Sequence, residues 1–175
     1  MKGTISRCLA LMVRAKAGDA TWKEIVKDSN AGPSGALLEI ATADVDDAVV
    51  GRLMANTCKH MKLTSEQACD AFGEYWCSDY APKLYSTIWR RFKSSREMIL
   101  GMDQVHIEVT DTMERARPPR FDYAWKDDKT LVIKYKSRRQ MVDVYVGLVR
   151  GVGKAFKEKL SVKKLTADTV EVIFG

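Results

Sequence analysis

Histidine is nearly absent: the 175 residues hold only His60 and His106. A Cys–His nucleophile or a multi-imidazole metal site therefore has almost nothing to draw on. Cysteine is sparse too. Cys8, Cys58, Cys69 and Cys77 form no CxxC pair and none follows Cys77, which excludes a zinc ribbon. They read as reduced, mostly buried thiols. With 4 Pro and 11 Gly the chain is neither collagen-like nor low-complexity. No long apolar run exists. The longest early one, Cys8 to Val13, is bracketed by Arg7, Arg14 and Lys16, far short of the ~20 residues of a membrane span and badly flanked for a signal peptide. A soluble, cytoplasmic protein is expected. No paired carboxylates stand out for acid–base work.

What is present suits one folded domain. Hydrophobic residues make up 46%, enough for a core at this length. Lys and Arg number 29 against 23 acidic residues, a formal charge of +6. The basic clusters are Arg90-Arg91-Phe92-Lys93, Arg115 to Arg120, and Lys136-Ser137-Arg138-Arg139. Acidic residues are interspersed and no nucleic-acid motif accompanies them, so they read as solvated faces plus one anion site.

The first two-thirds predicts helices. One runs from Met1 to Ala17 and ends at Gly18; another restarts at Asp19-Ala20-Thr21. Asn30 to Gly35 reads as a loop. Asp44 to Asp47 opens a helix ending near His60, which reads as a surface residue. Thr64 and Gln67 are spaced as a capping box. Helices are then expected over about Tyr80–Phe92 and Ser94–Glu114. Pro118-Pro119 breaks the pattern. Strands follow over Phe121–Trp125 and Leu131–Tyr135, a helix over about Arg139–Lys157, and strands over Leu160–Val162 and Thr169–Phe174. The expected class is mixed α/β of the α+β type. A helical lobe of about 1–62 would precede a lobe of about 63–175 with a small four-stranded antiparallel sheet.

Gly147 to Ala155 is glycine-rich but is no phosphate loop. Leu148 and Ala155 stand where a Walker sequence needs Gly and Ser/Thr, and Phe156 replaces the third glycine of a dinucleotide fingerprint. Close helix packing is the reading.

His106 is the unusual residue. Ile99, Met102, His106, Val109 and Met113 recur at helical spacing on one apolar face. Either His106 is a core histidine with both nitrogens hydrogen-bonded, or it is an axial ligand, since neutral imidazole holds haem iron well. Tyr135, Ser137 and Arg139 alternate along an extended segment and can converge. Two hydroxyls and a guanidinium make a carboxylate site, and haem carries two propionates.

These residues resemble the haem nitric oxide/oxygen-binding (H-NOX) family, related to the haem domain of soluble guanylate cyclase. The resemblance spans essentially the whole chain. It is carried by Met1-Lys2-Gly3-Thr4-Ile5, Phe72-Gly73-Glu74-Tyr75-Trp76, Met102-Asp103-Gln104-Val105-His106, Arg117-Pro118-Pro119-Arg120-Phe121, the Tyr135-x-Ser137-x-Arg139 triplet and Gly147-Leu148. It implies one haem b, five-coordinate through His106 when ferrous and unliganded. Tyr135, Ser137 and Arg139 would hold the propionates. Pro119 would press on the macrocycle, Ile5 and Leu148 would pack against it, and Trp76, Cys77 and Val144 would line the distal side. Nitric oxide binding would weaken the bond to His106 and free its helix.

Relatives that hold oxygen present a distal tyrosine where this chain has Val144; Tyr145 would point about 100° away. Nitric oxide and carbon monoxide are the expected ligands, not oxygen, unless the Trp76 indole donates. With no Cys or His after His106, the zinc site of some relatives is not expected. The reading is a stand-alone, non-enzymatic nitric oxide sensor acting through a separate protein such as a histidine kinase or a cyclic-di-GMP enzyme, without nucleic acid or membrane. The alternatives are a basic nucleic-acid-binding module with a core histidine, or a haem carrier.

Overall fold

A single glycine breaks the first helix. In the computed structural model, which describes residues 1–111, 113–114 and 116–175, helix α1 runs Thr4–Asp28, and Gly18 inside it has φ 86° and ψ 166°. Glycine adopts that conformation at no Cβ cost, so the break falls where the pattern ended one helix and began the next. At the restart the Thr21 hydroxyl donates to the Ala17 carbonyl at 2.8 Å. Thr112 of the expected long helix and Arg115 of the second basic cluster lie outside the described residues.

The chain divides into two compact units, Met1–Phe72 and Gly73–Gly175; the sequence pattern put the division near residue 62. The first unit holds α1, α2 (Asp47–Met61) and most of α3 (Ser65–Tyr75). The expected loop contains a 3-10 helix, Gly32–Leu37, with Pro33 in its first turn, where its missing N–H costs nothing. Asp46 caps α2 by accepting from Ala48 N at 2.8 Å. The capping box forms in both directions: Thr64 N donates to Gln67 Oε1 at 2.9 Å and Gln67 N to Thr64 Oγ1 at 3.2 Å. Leu9, Met12, Ile25, Val50 and Leu53 are fully buried. His60 is less exposed than expected. Its side chain is 18% accessible and its Nε2 lies 2.9 Å from Asp28 Oδ2, because the last turn of α2 meets the acidic end of α1.

In the second unit a π-helical turn, Trp76–Tyr80, leads into α4 (Ala81–Leu84) and α5 (Ser86–Trp89). The sequence predicted one helix to Phe92; the structure interrupts it at Tyr85 (φ −117°, ψ 39°). Pro82 accounts for the widened turn, since it lacks an N–H and its ring crowds the carbonyl four residues back; Ala81 N reaches Trp76 O instead. Helix α6 (Ser95–Thr110) is capped by Ser94, which accepts from Glu97 N at 3.2 Å. It stops four residues before Glu114. Val109 and Thr110 are weak helix formers, and Thr110 turns its hydroxyl back to His106 O at 2.6 Å. Met113, expected on the apolar stripe, lies past the helix end.

Strands β1 (Arg120–Trp125) and β2 (Thr130–Lys136) come next, then α7 (Val142–Ala155), β3 (Leu160–Lys164) and β4 (Thr169–Phe174). The four-stranded sheet is antiparallel in the order β1-β2-β4-β3. Alternation puts Phe121, Leu131, Ile133, Tyr135, Val170, Val172 and Phe174 into one core with the buried face of α7. Helix α7 starts later than Arg139 because Gln140 has φ 51° and Arg139 N bonds to Ser137 Oγ at 3.2 Å. The glycine-rich segment is a close crossing. A Cβ on Gly73 would stand 2.0 Å from Gly147 O, and one on Gly151 2.2 Å from Gly73 O. No helix among the described residues is long and apolar enough to cross a membrane.

Candidate functional site

The site begins with the choice of tautomer at His106. Its Nδ1 lies 3.1 Å from the carbonyl oxygen of Pro119. A carbonyl only accepts, so Nδ1 carries the hydrogen and Nε2 keeps its lone pair. Burial holds the imidazole below its ordinary pKa of 6.5, although the Pro119 bond pulls the other way. The ring is neutral at pH 7, the state in which imidazole binds metals.

The segment that fixes His106 is itself fastened to α6. Asp103, three residues earlier, accepts from Arg120 Nε at 2.8 Å, from the second Arg120 nitrogen at 2.6 Å, and from Phe121 N at 3.0 Å. Burial alone would raise the Asp103 carboxyl; Arg120 and the Phe121 amide outweigh it and hold it below the usual range. Tyr123 adds a bond from its hydroxyl to Ile99 O at 2.9 Å. Three successive residues, Pro119, Arg120 and Phe121, thus hold the start of β1 against the helix that carries His106. The family resemblance implied a role for the Pro119 ring but none for its carbonyl or for Asp103. An acid one turn before a stripe histidine, with a basic residue after a double proline, is the faint sequence signal of that clasp.

Tyr135, Ser137 and Arg139 do converge. Tyr135 is buried at the end of β2, and its hydroxyl bonds to Ser137 beside the Arg139 charge. Burial raises the Tyr135 pKa and those two neighbours lower it; the net is upward, so the phenol keeps its proton as a donor. Arg139 is aimed by a bond to Arg117 O at 2.7 Å. Phe121 connects clamp and imidazole: its ring lies 5.6 Å from that of His106 and 6.0 Å from that of Tyr135.

Val144 and Leu148 stand one turn apart on α7 and are only half-buried, while Tyr145, Val146 and Val149 are buried. The half-buried Trp76 lies 5.2 Å from the Tyr80 ring. Cys77 is buried with its Sγ 3.5 Å from Leu148 O. Burial pushes the thiol up to about 12, so it is neither a thiolate ligand nor a nucleophile. Ile5 belongs to the first turn of α1, in the other unit, and is half-buried.

Tyr145 points as expected away from the Val144 direction. It stacks on Phe121 at 4.8 Å and on Tyr135 at 5.4 Å. Its hydroxyl is the one buried side-chain polar atom among the described residues without a hydrogen-bond partner.

Among the described residues no group of three or more His, Cys, Asp or Glu could hold a bare metal ion. One neutral imidazole, an anion clamp and a half-covered apolar wall instead fit a group that brings its own metal, its own equatorial ligands and its own carboxylates. An open groove of about 450 Å³ at the β1–β2 turn lies elsewhere and is lined by Arg96, Trp125, Lys126, Asp127 and Asp128. Arg96 there is already stacked 4.8 Å from both Trp125 and Phe174, which makes the groove a structural feature.

Comparison with known proteins agrees on one family. The haem-NO-binding family profile matches residues 2–164. No curated protein matches the sequence. Among solved structures, a triple variant of an H-NOX protein from S. oneidensis in the Fe(II) ligation state superposes with a TM-score of 0.89 at 16% identity, covering 100% of this chain and 96% of that one. An S. oneidensis H-NOX protein in the Fe(II)NO ligation state gives 0.85 at 18% identity, covering 100% and 98%. The Fe(II) unliganded H-NOX protein from K. algicida gives 0.82 at 20% identity, covering 100% and 96%. At these identities the likeness is one of fold.

Proposed function

Because the chain belongs to the haem-NO-binding (H-NOX) family, whose domains bind haem and sense gases, we propose that it is a nitric oxide sensor with His106 as the axial ligand of one b-type haem. The observation that carries this is the His106–Pro119 bond, which leaves a neutral Nε2 as the free donor. Haem held there supplies a ferrous iron with one open position for a diatomic gas.

The remaining roles follow from the residues. Tyr135, Ser137 and Arg139 are the donors for the two propionates. The Pro119 ring and Leu148 pack on the macrocycle. Trp76, Cys77 and Val144 form the wall beside the gas. A valine there donates no hydrogen bond, and the Tyr145 hydroxyl is buried against Phe121 and Tyr135. Oxygen, whose bound form needs a donor more than nitric oxide does, is therefore not held stably. His106 is the link between the bound group and α6, so a change at that bond passes into α6. The output is read by a separate signalling protein, for which a histidine kinase and a cyclic-di-GMP enzyme are the candidates. The domain itself performs no catalysis.

The test is the absorption spectrum of the purified, dithionite-reduced protein, before and after anaerobic nitric oxide and, separately, in air. A Soret band, a ferrous nitrosyl spectrum and no stable oxygen complex are expected, with haem lost from His106→Ala. A stable oxygen complex would overturn the role of Val144. Absence of haem after reconstitution would overturn the sensor reading.

A further inference from the structure

The whole net charge of the chain sits on one unit. Gly73–Gly175 has twenty lysines and arginines against fourteen acidic residues, a net of +6, while Met1–Phe72 has nine of each. Most cations of the charged unit are engaged. Arg91 pairs with Glu108, Arg120 with Asp103, Lys126 with Glu171, Lys134 with Asp168, Lys136 with Asp122, Lys154 with Glu74 and Lys164 with Asp143. Arg117 and Arg138 flank the propionate clamp. Arg90, Lys93, Lys157 and Lys159, like Lys129 and Lys163, are exposed and have no ion pair among the described residues; the first four lie on two segments that meet.

Two contacts bring the segments that carry them together. The Trp89 ring, next to Arg90, stacks on Phe156, next to Lys157, at 6.0 Å and 14°. The amide of Ser95 donates to Glu158 Oε2 at 3.1 Å, and its hydroxyl donates to the same oxygen; Glu158 stands between Lys157 and Lys159. The patch therefore straddles the start of α6 and the end of α7. Half-buried Trp89 and Phe156 lie within it. Nearby carboxylates are occupied: Glu97 accepts from Lys93 N, and Glu158 holds Ser95.

We infer that this surface is the docking site for a protein partner presenting carboxylates beside apolar side chains. Charge complementarity selects an acidic face and speeds encounter. The half-buried Trp89 and Phe156 rings give it an apolar anchor of the kind that carries binding energy. Duplex nucleic acid fits less well, because Glu97, Glu108 and Glu158 stand on the same or paired segments as the cations. The site also rests on the sensor reading for its regulation. Arg90 and Lys93 precede the helix that carries His106, whereas Lys157 and Lys159 follow the helix that carries Val144 and Leu148. The Ser95–Glu158 bonds hold the two pairs in register, so a displacement of α6 against α7 changes the spacing that the partner meets.

The test uses the holoprotein and a synthetic amphipathic peptide with glutamate and leucine on one face, against a scrambled peptide of the same composition. Amide shifts on peptide addition should fall on residues 84–95 and 153–160. Arg90→Glu with Lys93→Glu should weaken binding about tenfold or more while leaving the absorption spectrum and the nitrosyl spectrum unchanged. Ser95→Ala should keep peptide binding and remove its dependence on nitric oxide. Shifts elsewhere, equal binding of the scrambled peptide, or preferential binding of duplex DNA or of phosphatidylglycerol vesicles at this surface would overturn the proposal. Peptide binding without a haem spectrum would overturn only its regulation, and with it the sensor reading.

Discussion

Met1–Phe72 and Gly73–Gly175 use polar side chains to different ends. In the neutral unit they complete the fold's own structure. Arg14 grips Glu39 through two nitrogens at 2.6 and 2.8 Å and Asp19 at 2.8 Å. Arg52 and Asn56 reach back to Ser29 at the end of α1. Among the described residues the charged unit leaves groups open: a neutral imidazole nitrogen, a buried hydroxyl without a partner, and half-covered valine and leucine on α7. Buried polar groups in folded proteins are ordinarily satisfied, so open ones mark where a ligand or partner belongs.

The sharpest way to break the charged unit is Gly151→Val. The new side chain would meet the Gly73 backbone at 2.2 Å, where no rotamer relieves it, and the expected loss is about 3 kcal/mol or more. Hydrogen exchange should show faster exchange across β1–β4 while α1 and α2 keep their protection. Asp103→Ala comes next. It removes three hydrogen bonds at a partly buried clasp, and the expected cost is about 2 kcal/mol in urea unfolding. A charged unit that unfolds normally in this variant would mean that β1 does not need α6. Haem affinity should fall as well, since Pro119 loses its fastening.

In the neutral unit the expected effects are smaller. A Cβ at Gly51, in the exposed interior of α2, meets nothing within 4 Å, so Gly51→Ala should stabilise by about 0.5–1 kcal/mol, read as a rise in Tm. Glu39→Gln gives the smallest effect, and only above the acid range. The Arg14 bond holds the Glu39 carboxyl below its ordinary value of 4.5. Its stabilisation is therefore present above pH 4.5 and is lost as the pH falls through the lowered value. The variant should be slightly less stable than the parent at pH 7, match it in strong acid, and so show a flatter acid limb of stability against pH. An unchanged acid limb would show that the pair contributes nothing measurable, as many exposed pairs do.

Local rules made much of this legible. Thr64 and Gln67 form their box, Gly18 breaks its helix, and the strands after Pro118-Pro119 alternate as written. The helix ends were less legible. Helix α6 stops at Thr110 and α7 starts at Val142, because side-chain bonds at Thr110 and Ser137 compete with the helix. The break at Tyr85 and the π turn before Pro82 depend on how the chain packs beyond the proline.

By itself the sequence determined which chemistry was available: one histidine on an apolar helix face, one hydroxyl–hydroxyl–guanidinium triplet, and no second metal ligand set. Periodicity and residue type are local, and they suffice for that. Only the tertiary structure decided that the Pro119 carbonyl sets the His106 tautomer, that Asp103 fastens β1 to α6, that Tyr145 is buried with its hydroxyl unpaired, and that the segments around Trp89–Ser95 and Phe156–Glu158 meet. Each depends on residues far apart in sequence meeting in space, and no spacing rule along the chain encodes such a meeting.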